Sequence, residues 1–370
     1  MFLRYSSNAT KRDKRLPKVA KVYSKHDVKI DCSSIDSDAI TIITRLKQRG
    51  FEAFLVGGAV RDLLLNITPK DFDIATDATP SQIRRIFHNS RIIGRRFKIA
   101  HVFFGDKIFE ITTFRALGTN SLGNEFGTIE QDVVRRDFTI NALYFDPIRN
   151  HLIDFVGGIQ DIQKQLIRPI IPLKNIFVDD PVRMIRAVKY KATTNFKFTM
   201  FLPSKIKRSA HLLNDVSPSR ITEEVFKIIR SEHPDIIAKE MLDFGIYPYL
   251  QKQASDLCLQ SKEFREKYFS SLVELGKINS TTENLSLAKG LYYFIRDFTK
   301  KTVEELRNEE ENIGMIVQKV KVLIRAYVKP INPPNIQLRS AIFLALEDCG
   351  IKRNSKKKKK GKPAEKRGSK

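Results

Sequence analysis

KDFDIAT, residues 70–76, sets two aspartates one position apart at the head of an apolar run. Side chains alternate faces along a strand, so Asp71 and Asp73 point one way while Phe72 and Ile74 point the other. Like charges on one face repel, and would raise each other's pKa or loosen the strand, so a divalent metal site is the simplest explanation of the pair. The competing explanation is a solvated edge strand.

Upstream, FEAFLVGG (51–58) predicts a strand that ends in paired glycines, and AVRDLLL (59–65) a short helix. Glycine lets a ligand approach the backbone closely, so the first amides of that helix, beside Gly57 and Gly58, are placed to face a phosphate. Before the strand, IDSDAITIITRL (35–46) has helical spacing and is stopped by Gly50. Downstream, Thr79 and Pro80 serve as cap and first residue of a helix over TPSQIRRIF. FKIAHVFFGDKIFEITTFRA (97–116) predicts a β-hairpin turning at Gly105-Asp106, with Glu110 on its second strand. Residues 118–128, with three glycines, predict a mobile loop, after which RRDFTINALYF (135–145) resumes regular structure.

From about Phe177 the pattern is mostly helical, including DDPVRMIRAVKY (179–190), SPSRITEEVFKIIR (217–230) and TVEELRNEEENIGMIVQKVKVLIRAYV (302–328). The expected fold class is α+β, a mixed-sheet head followed by helices. The expected division is a basic flexible arm (1–30), a head (31–150), a helical neck (151–250), a helical body (251–350) and a basic disordered tail (351–370).

The formal charge of +24 is concentrated at the ends. Residues 1–30 carry nine Lys/Arg against Asp13 and Asp27, and residues 352–370 carry eleven against Glu365, so seventeen of the 24 charges lie in 49 flanking residues. Such blocks repel themselves and suit a polyanion, with nucleic acid the first candidate and a merely solubilising tail the alternative. Cys32, Cys258 and Cys349 show no pairing pattern and no zinc-ligand spacing, as expected of a reducing, cytoplasmic setting. No apolar stretch approaches the roughly 20 residues of a membrane span. Asp13 and weak amphipathicity argue against an organelle transit peptide.

Two carboxylates spaced D-x-D, an upstream glycine turn and a third acid on a neighbouring strand form the ligand set for two-metal phosphoryl or nucleotidyl transfer. Carboxylate-only donors suit a hard cation, so two Mg2+ ions are expected.

Taken in order, FLVGGAVRDLLL, PKDFDIAT, IFEITTFRA, RRDFTINALYF, DFVGG and DDPVRMIRAVKY resemble the head and neck of the class II nucleotidyltransferases, the bacterial poly(A) polymerases and CCA-adding tRNA nucleotidyltransferases. The likeness covers roughly residues 35–250. It implies a DNA polymerase beta-like palm as the head, and a neck that holds a nucleotide-selecting element and an RNA-binding surface. It implies Asp71 and Asp73 as metal ligands, with Gly57, Gly58 and Arg61 around the triphosphate. Asp62, Arg115 and Asn141 fall within the same motifs and are expected at the nucleotide. Arg135, Arg136 and Asp137 match the family's R-R-D motif, which contacts the ribose and phosphates; the alternative for the two arginines is a surface basic pair. Asp137 and Glu110 compete for the role of third catalytic acid. The family's motif favours Asp137, and strand pairing favours Glu110.

Asp180 and Arg183 match the family's nucleotide-selecting D-x-x-R element. An aspartate accepts from an exocyclic amino group while an arginine donates to the adjacent ring nitrogen, a pattern that adenine and cytosine present and guanine and uracil reverse. A plain helical salt bridge is the competing explanation. Arg186, one turn on, is in reach of phosphate. IIGRRFKIAHV (92–102) resembles a segment typical of the poly(A) polymerases rather than of the CCA-adding enzymes. IIPLKNIFVDD (170–180) departs from the family, losing a glycine and carrying Asp179 in place of Glu, which bears on the neck entrance.

The resemblance therefore implies a template-independent enzyme that adds AMP from ATP to RNA 3′ ends and releases pyrophosphate, with RNA-decay proteins as candidate partners. CCA addition to tRNA is the second enzymatic reading. A non-catalytic RNA-binding protein on the same fold is the third, opposed by the intact D-x-D pair.

Overall fold

The computed structural model describes residues 19–94, 98–116, 126–282, 285–309 and 312–352. The chain divides into two compact units, one through Asp215 and one from Val216. Most of the basic arm, the Lys356–Lys360 run, the Arg95-Arg96-Phe97 segment and most of the expected glycine loop lie outside the described residues.

The first unit is built on an eight-stranded mixed sheet in the order β1-β8-β7-β2-β3-β6-β5-β4. Its strands are β1 (Lys21–Tyr23), β2 (Ala53–Val56), β3 (Asp73–Thr76), β4 (Ser90–Ile93), β5 (Ile99–Phe104), β6 (Lys107–Thr113), β7 (Leu143–Asp146) and β8 (His151–Asp154). β3 runs parallel to β6, and the other pairings are antiparallel. The apolar run Ala53–Val56 makes β2 a central strand, buried on both faces. On one face Leu55, Ile74 and Ile111 pack with residues of α1 (Ser37–Gln48), α2 (Gly58–Leu64) and α3 (Pro80–Ile86). On the other, Phe54, Val56, Ala75 and Tyr144 pack with Phe114 and with Ile129 and Val133 of α4 (Ile129–Arg135).

Local chemistry sets these boundaries. The Asp36 carboxylate accepts from the Asp38 amide at the start of α1, and Thr79 forms a reciprocal cap with Gln82 at the start of α3. The expected hairpin forms, with Phe104 opposite Lys107 at its tip.

Three differences from the sequence expectation have simple causes. Asp71 precedes β3 rather than lying in it, because β2, the strand that pairs with Asp73 through Val56, turns away at Gly57. Residues 21–23, grouped by charge with the arm, form the edge strand β1 on β8, since Ala20 and Val22 pack with the Phe54 face. The run 302–328 is two helices, α14 (Leu287–Glu309) and α15 (Ile313–Tyr327), because Asn312 Oδ1 caps the second by accepting from Gly314 and Met315. The sheet also continues past residue 150 through β8, and α5 (Gly158–Gln163) follows it.

The first unit is completed by α6 (Ile176–Asp179), α7 (Val182–Thr194), α8 (Leu202–Ser209) and a small parallel pair, β9 (Leu166–Ile167) with β10 (Lys197–Phe198). The second unit is helical: α9 (Pro218–Ile229), α10 (Pro234–Asp243), α11 (Tyr247–Leu250), α12 (Lys252–Gln260), α13 (Lys262–Thr281), α14, α15 and α16 (Asn335–Asp348). Among the described residues no helix is long and apolar enough to cross a membrane.

Candidate active site

Gly57 ends β2 with φ +71°, a left-handed conformation that glycine adopts without the steric cost other residues meet. A β-carbon built there would lie 3.6 Å from Asp73 Oδ2 and 3.9 Å from Arg136 Nη1. A carboxylate and a guanidinium from distant motifs therefore flank one backbone turn. Asp71, two residues before Asp73, is exposed.

Arg136 is held on all sides. Its Nε donates to Tyr144 Oη at 2.9 Å, its Nη2 to Asp132 Oδ2 at 3.0 Å, and its Nη1 to the Asn141 carbonyl at 3.3 Å. Tyr144 also donates to Asp132 Oδ2 at 2.6 Å. Burial alone would lower the Arg136 pKa, but Tyr144 and Asp132 outweigh it and raise the value. Burial likewise works against the Asp132 carboxylate, yet Arg136 and the Tyr144 hydroxyl hold it below its ordinary pKa. The ion pair is well satisfied, as a buried pair must be to persist.

Arg61 is similarly anchored. It donates from Nε and Nη2 to Asp62 Oδ1 at 3.0 and 2.7 Å, and from Nη1 to Asn141 Oδ1 at 2.9 Å. Its guanidinium also lies 5.2 Å from the Tyr190 ring centroid. Asn141 thus joins the glycine-turn helix to the R-R-D segment. Gly58 lies in the same corner, its β-carbon position 3.6 Å from Arg61 Nη2.

Arg115, Arg135 and Arg183 form a second cationic group. Burial pushes the pKa of each down, and for Arg135 the charges of Arg115 and Arg183 add to the effect. Arg135 donates to the Ala116 carbonyl at 3.1 Å; Arg183 donates to the Ile176 and Arg135 carbonyls at 3.1 and 3.2 Å. Asp180 accepts from the Val182 amide at 3.2 Å, at the start of the helix that carries Arg183, and its charge acts on Arg183. Crowded, half-buried cations of this kind are relieved by a bound polyanion.

The two contenders for third acid separate. Asp137 is buried, accepts from the Phe138 amide at 2.8 Å, and stands 3.8 Å from Arg186 Nη1 with Arg183 also feeling its charge. Glu110 is on β6, where the register Ile74 to Ile111, carried back one residue, sets it beside Asp73 on the same face of the sheet. His101, opposite on β5, lies 3.5 Å from Glu110. Among the described residues no group of three or more His, Cys, Asp or Glu is close enough to hold a metal ion by itself. The exposed Asp71 and Asp73 carboxylates fit a cation that takes one or two protein carboxylates and completes its shell with water and substrate phosphate, as Mg2+ does.

DFVGG proves to be scaffolding. Asp154 accepts from the amides of Val156, Gly157, Gly158 and Ile159, and Gly158 packs so closely on the Thr139 carbonyl that any β-carbon would overlap it. Asp161 then accepts from Thr139 Oγ1 at 2.5 Å and Arg168 Nε at 2.9 Å, fixing the short 3-10 turn Thr139–Asn141 that follows R-R-D.

Sequence reasoning overlooked Asp132, Tyr144 and Tyr190. The Asp132–Arg136 spacing of four is a helical ion-pair signal, and the Thr128-x-x-Gln131 capping box announces α4. Nothing in the local sequence marks Tyr144 or Tyr190, whose partners come from other elements.

Residues 53–168 match the family model described as the Poly A polymerase head domain, and residues 195–258 match the model described as the probable RNA and SrmB-binding site of polymerase A. The chain is 44% identical over 218 residues to Poly(A) polymerase I of Salmonella typhi, covering 55% of this chain and 47% of that protein. It is 34% identical over 220 residues to the CCA-adding enzyme of Ligilactobacillus salivarius, covering 57% and 54%. The crystal structure of the Bacillus stearothermophilus CCA-adding enzyme in complex with CTP matches with a TM-score of 0.55 and 27% identity, over 84% of this chain and 75% of that one. The chain spans about half the length of the curated relatives it matches.

Proposed function

The chain belongs to the nucleotidyltransferase family of poly(A) polymerases and CCA-adding enzymes, and from that premise we propose that it adds AMP from ATP to RNA 3′ ends without a template, releasing pyrophosphate. The observation that carries this reading is the convergence of the Asp73 carboxylate and the Arg136 guanidinium on Gly57. An anionic phosphate chain laid against that turn meets backbone where a side chain would block it, a cation on one side and a metal-binding carboxylate on the other.

In this reading Asp71 and Asp73 hold Mg2+, with Glu110 on the strand next to Asp73. When bound, Mg2+ supplies an activated 3′ hydroxyl and charge stabilisation for the leaving pyrophosphate. Arg136, braced by Asp132 and Tyr144, holds phosphate; Arg61, tied to Asp62 and Asn141, keeps the glycine turn and the R-R-D segment in register. Arg115 and Arg135 contribute to the anionic part of the site. Asp180 and Arg183 select the base, and Asp137, 3.8 Å from Arg186 and acting on Arg183, supports that end of the site. RNA 3′ ends are the acceptor and the cytoplasm the setting.

Greater identity to the poly(A) polymerases than to the CCA-adding enzymes favours ATP-only use over CCA addition. The test is primer extension with Mg2+ on two RNAs, a generic oligonucleotide and a tRNA that ends before its CCA, with each nucleoside triphosphate supplied separately. Long ladders from ATP alone on both RNAs support the proposal, whereas addition that stops after CTP and then ATP on tRNA alone makes it a CCA-adding enzyme. Asp73→Ala should abolish extension in either case.

A further inference from the structure

We propose that the groove between α15 and α16 docks an acidic amphipathic helix of another protein. From Asn312 to Leu346 the chain carries five Lys/Arg and no Asp or Glu. Between the two helices is a groove of about 430 Å³ whose floor is Val322, Leu338 and Ile342. Lys321 and Arg325 stand on the α15 wall and Arg339 on the α16 wall, so cations rim the apolar floor from both sides.

The floor extends onto the surface. Val322 is 70% exposed and Ile336, next to the groove residue Asn335, is 79% exposed. Apolar side chains left in water between cationic walls match an entering helix with apolar residues at i, i+3, i+4 and i+7 and carboxylates along its flanks. RNA fits less well. Phosphates would use the cations but waste the apolar floor, and bases need an open aromatic face on which to stack. The nearby Phe343 offers none, since Lys321 Nζ and the Arg339 guanidinium lie 5.1 and 5.7 Å from its ring centroid.

The experiment titrates the full chain into a fluorescein-labelled helical peptide with leucine at i, i+3, i+4 and i+7 and glutamate on its flanks, read by fluorescence anisotropy. Saturable binding is expected, weakened about tenfold or more by Val322→Glu and by Arg339→Glu, and absent for a scrambled peptide of the same composition. Both positions are exposed, and unchanged thermal melts confirm that the variants fold. Equal affinity for the scrambled peptide, or no loss in the variants, overturns the proposal. So does displacement of the peptide by oligoadenylate with a parallel loss of RNA affinity in the variants, which would make the groove an RNA surface. A concentration-dependent dimer dissolved by Val322→Glu would assign it to a second copy of this chain and overturn the proposal equally.

Discussion

Arg61 Nη1 donates to Asn141 Oδ1 at 2.9 Å, and the carbonyl of the same Asn141 accepts from Arg136 Nη1 at 3.3 Å. One buried asparagine, through its side-chain oxygen and its backbone carbonyl, thus holds two arginines that belong to motifs far apart in the chain. Asn141→Leu keeps the volume and removes the side-chain acceptor, leaving part of the Arg61 charge unsatisfied. The expected loss is about 1.5–3 kcal/mol, read from chemical denaturation, accompanied by weaker ATP binding. Unchanged ATP affinity in a destabilised variant would confine Asn141 to a structural role.

Asp132 has its pKa depressed by Arg136 and Tyr144 against the pull of burial. A carboxylate whose folded pKa lies below its unfolded value adds stability that is present above the unfolded pKa and is lost as pH falls through the folded one. Asp132→Ala leaves Arg136 as an uncompensated buried charge, for an expected cost of about 3–5 kcal/mol at neutral pH. In a denaturation series taken downward from neutrality, the stability gap between wild type and variant should narrow below about pH 4. A gap of constant size would mean that the cost is lost packing rather than the ion pair.

Much of this site was legible because its parts are local patterns. The hairpin, the Thr79 cap, the glycine turn and the D-x-D pair each depend on neighbours in sequence, and each lies where the pattern put it, apart from the one-strand-end shift of Asp71. What escaped depends on distant partners. Tyr144 looks like an ordinary strand residue until α4 brings Asp132 and Arg136 to its hydroxyl. Asp62 and Asn141 take three of the five N–H donors of Arg61 and so orient its guanidinium, and the Asn141 contact, 80 residues away, has no local sequence signal. The surroundings of Asp137 and Glu110 also depend on distant partners: Asp137 meets Arg186 of α7, and the β3–β6 register sets Glu110 beside Asp73.

Gly57→Ala isolates the backbone at the turn. The new β-carbon meets Asp73 and Arg136 at ordinary contact distances, so the penalty comes from φ +71° rather than from overlap. With ψ −135° this backbone lies outside even the left-handed α well, so alanine there costs about 1–3 kcal/mol, and its methyl group occupies the space assigned to phosphate. Expected are a modest drop in melting temperature and a much larger rise in the ATP KM. A variant that loses stability alone, with KM unchanged, would move the triphosphate away from this turn.

Glu52 lies at the opposite end of β2 from Gly57, in a cavity lined also by Lys47, Phe54, Asp146 and His151. Burial, reinforced by Asp77 and Glu130, raises its pKa to about 7. Between the unfolded value and 7 the folded chain holds the extra proton, so stability falls as pH rises through that window and the full penalty applies above it. A shift of this size converts to about 3 kcal/mol, and solvent at the half-buried carboxylate reduces the expected effect to about 1 kcal/mol. Glu52→Gln removes the ionisable group without removing the shape. The variant should therefore melt higher than wild type at about pH 8 and match it at about pH 4, because protonated glutamate and glutamine are near-isosteric. A difference that persists unchanged at acid pH would mean that the substitution acts through packing or hydrogen bonding, with Glu52 already ionised in the folded chain at neutrality.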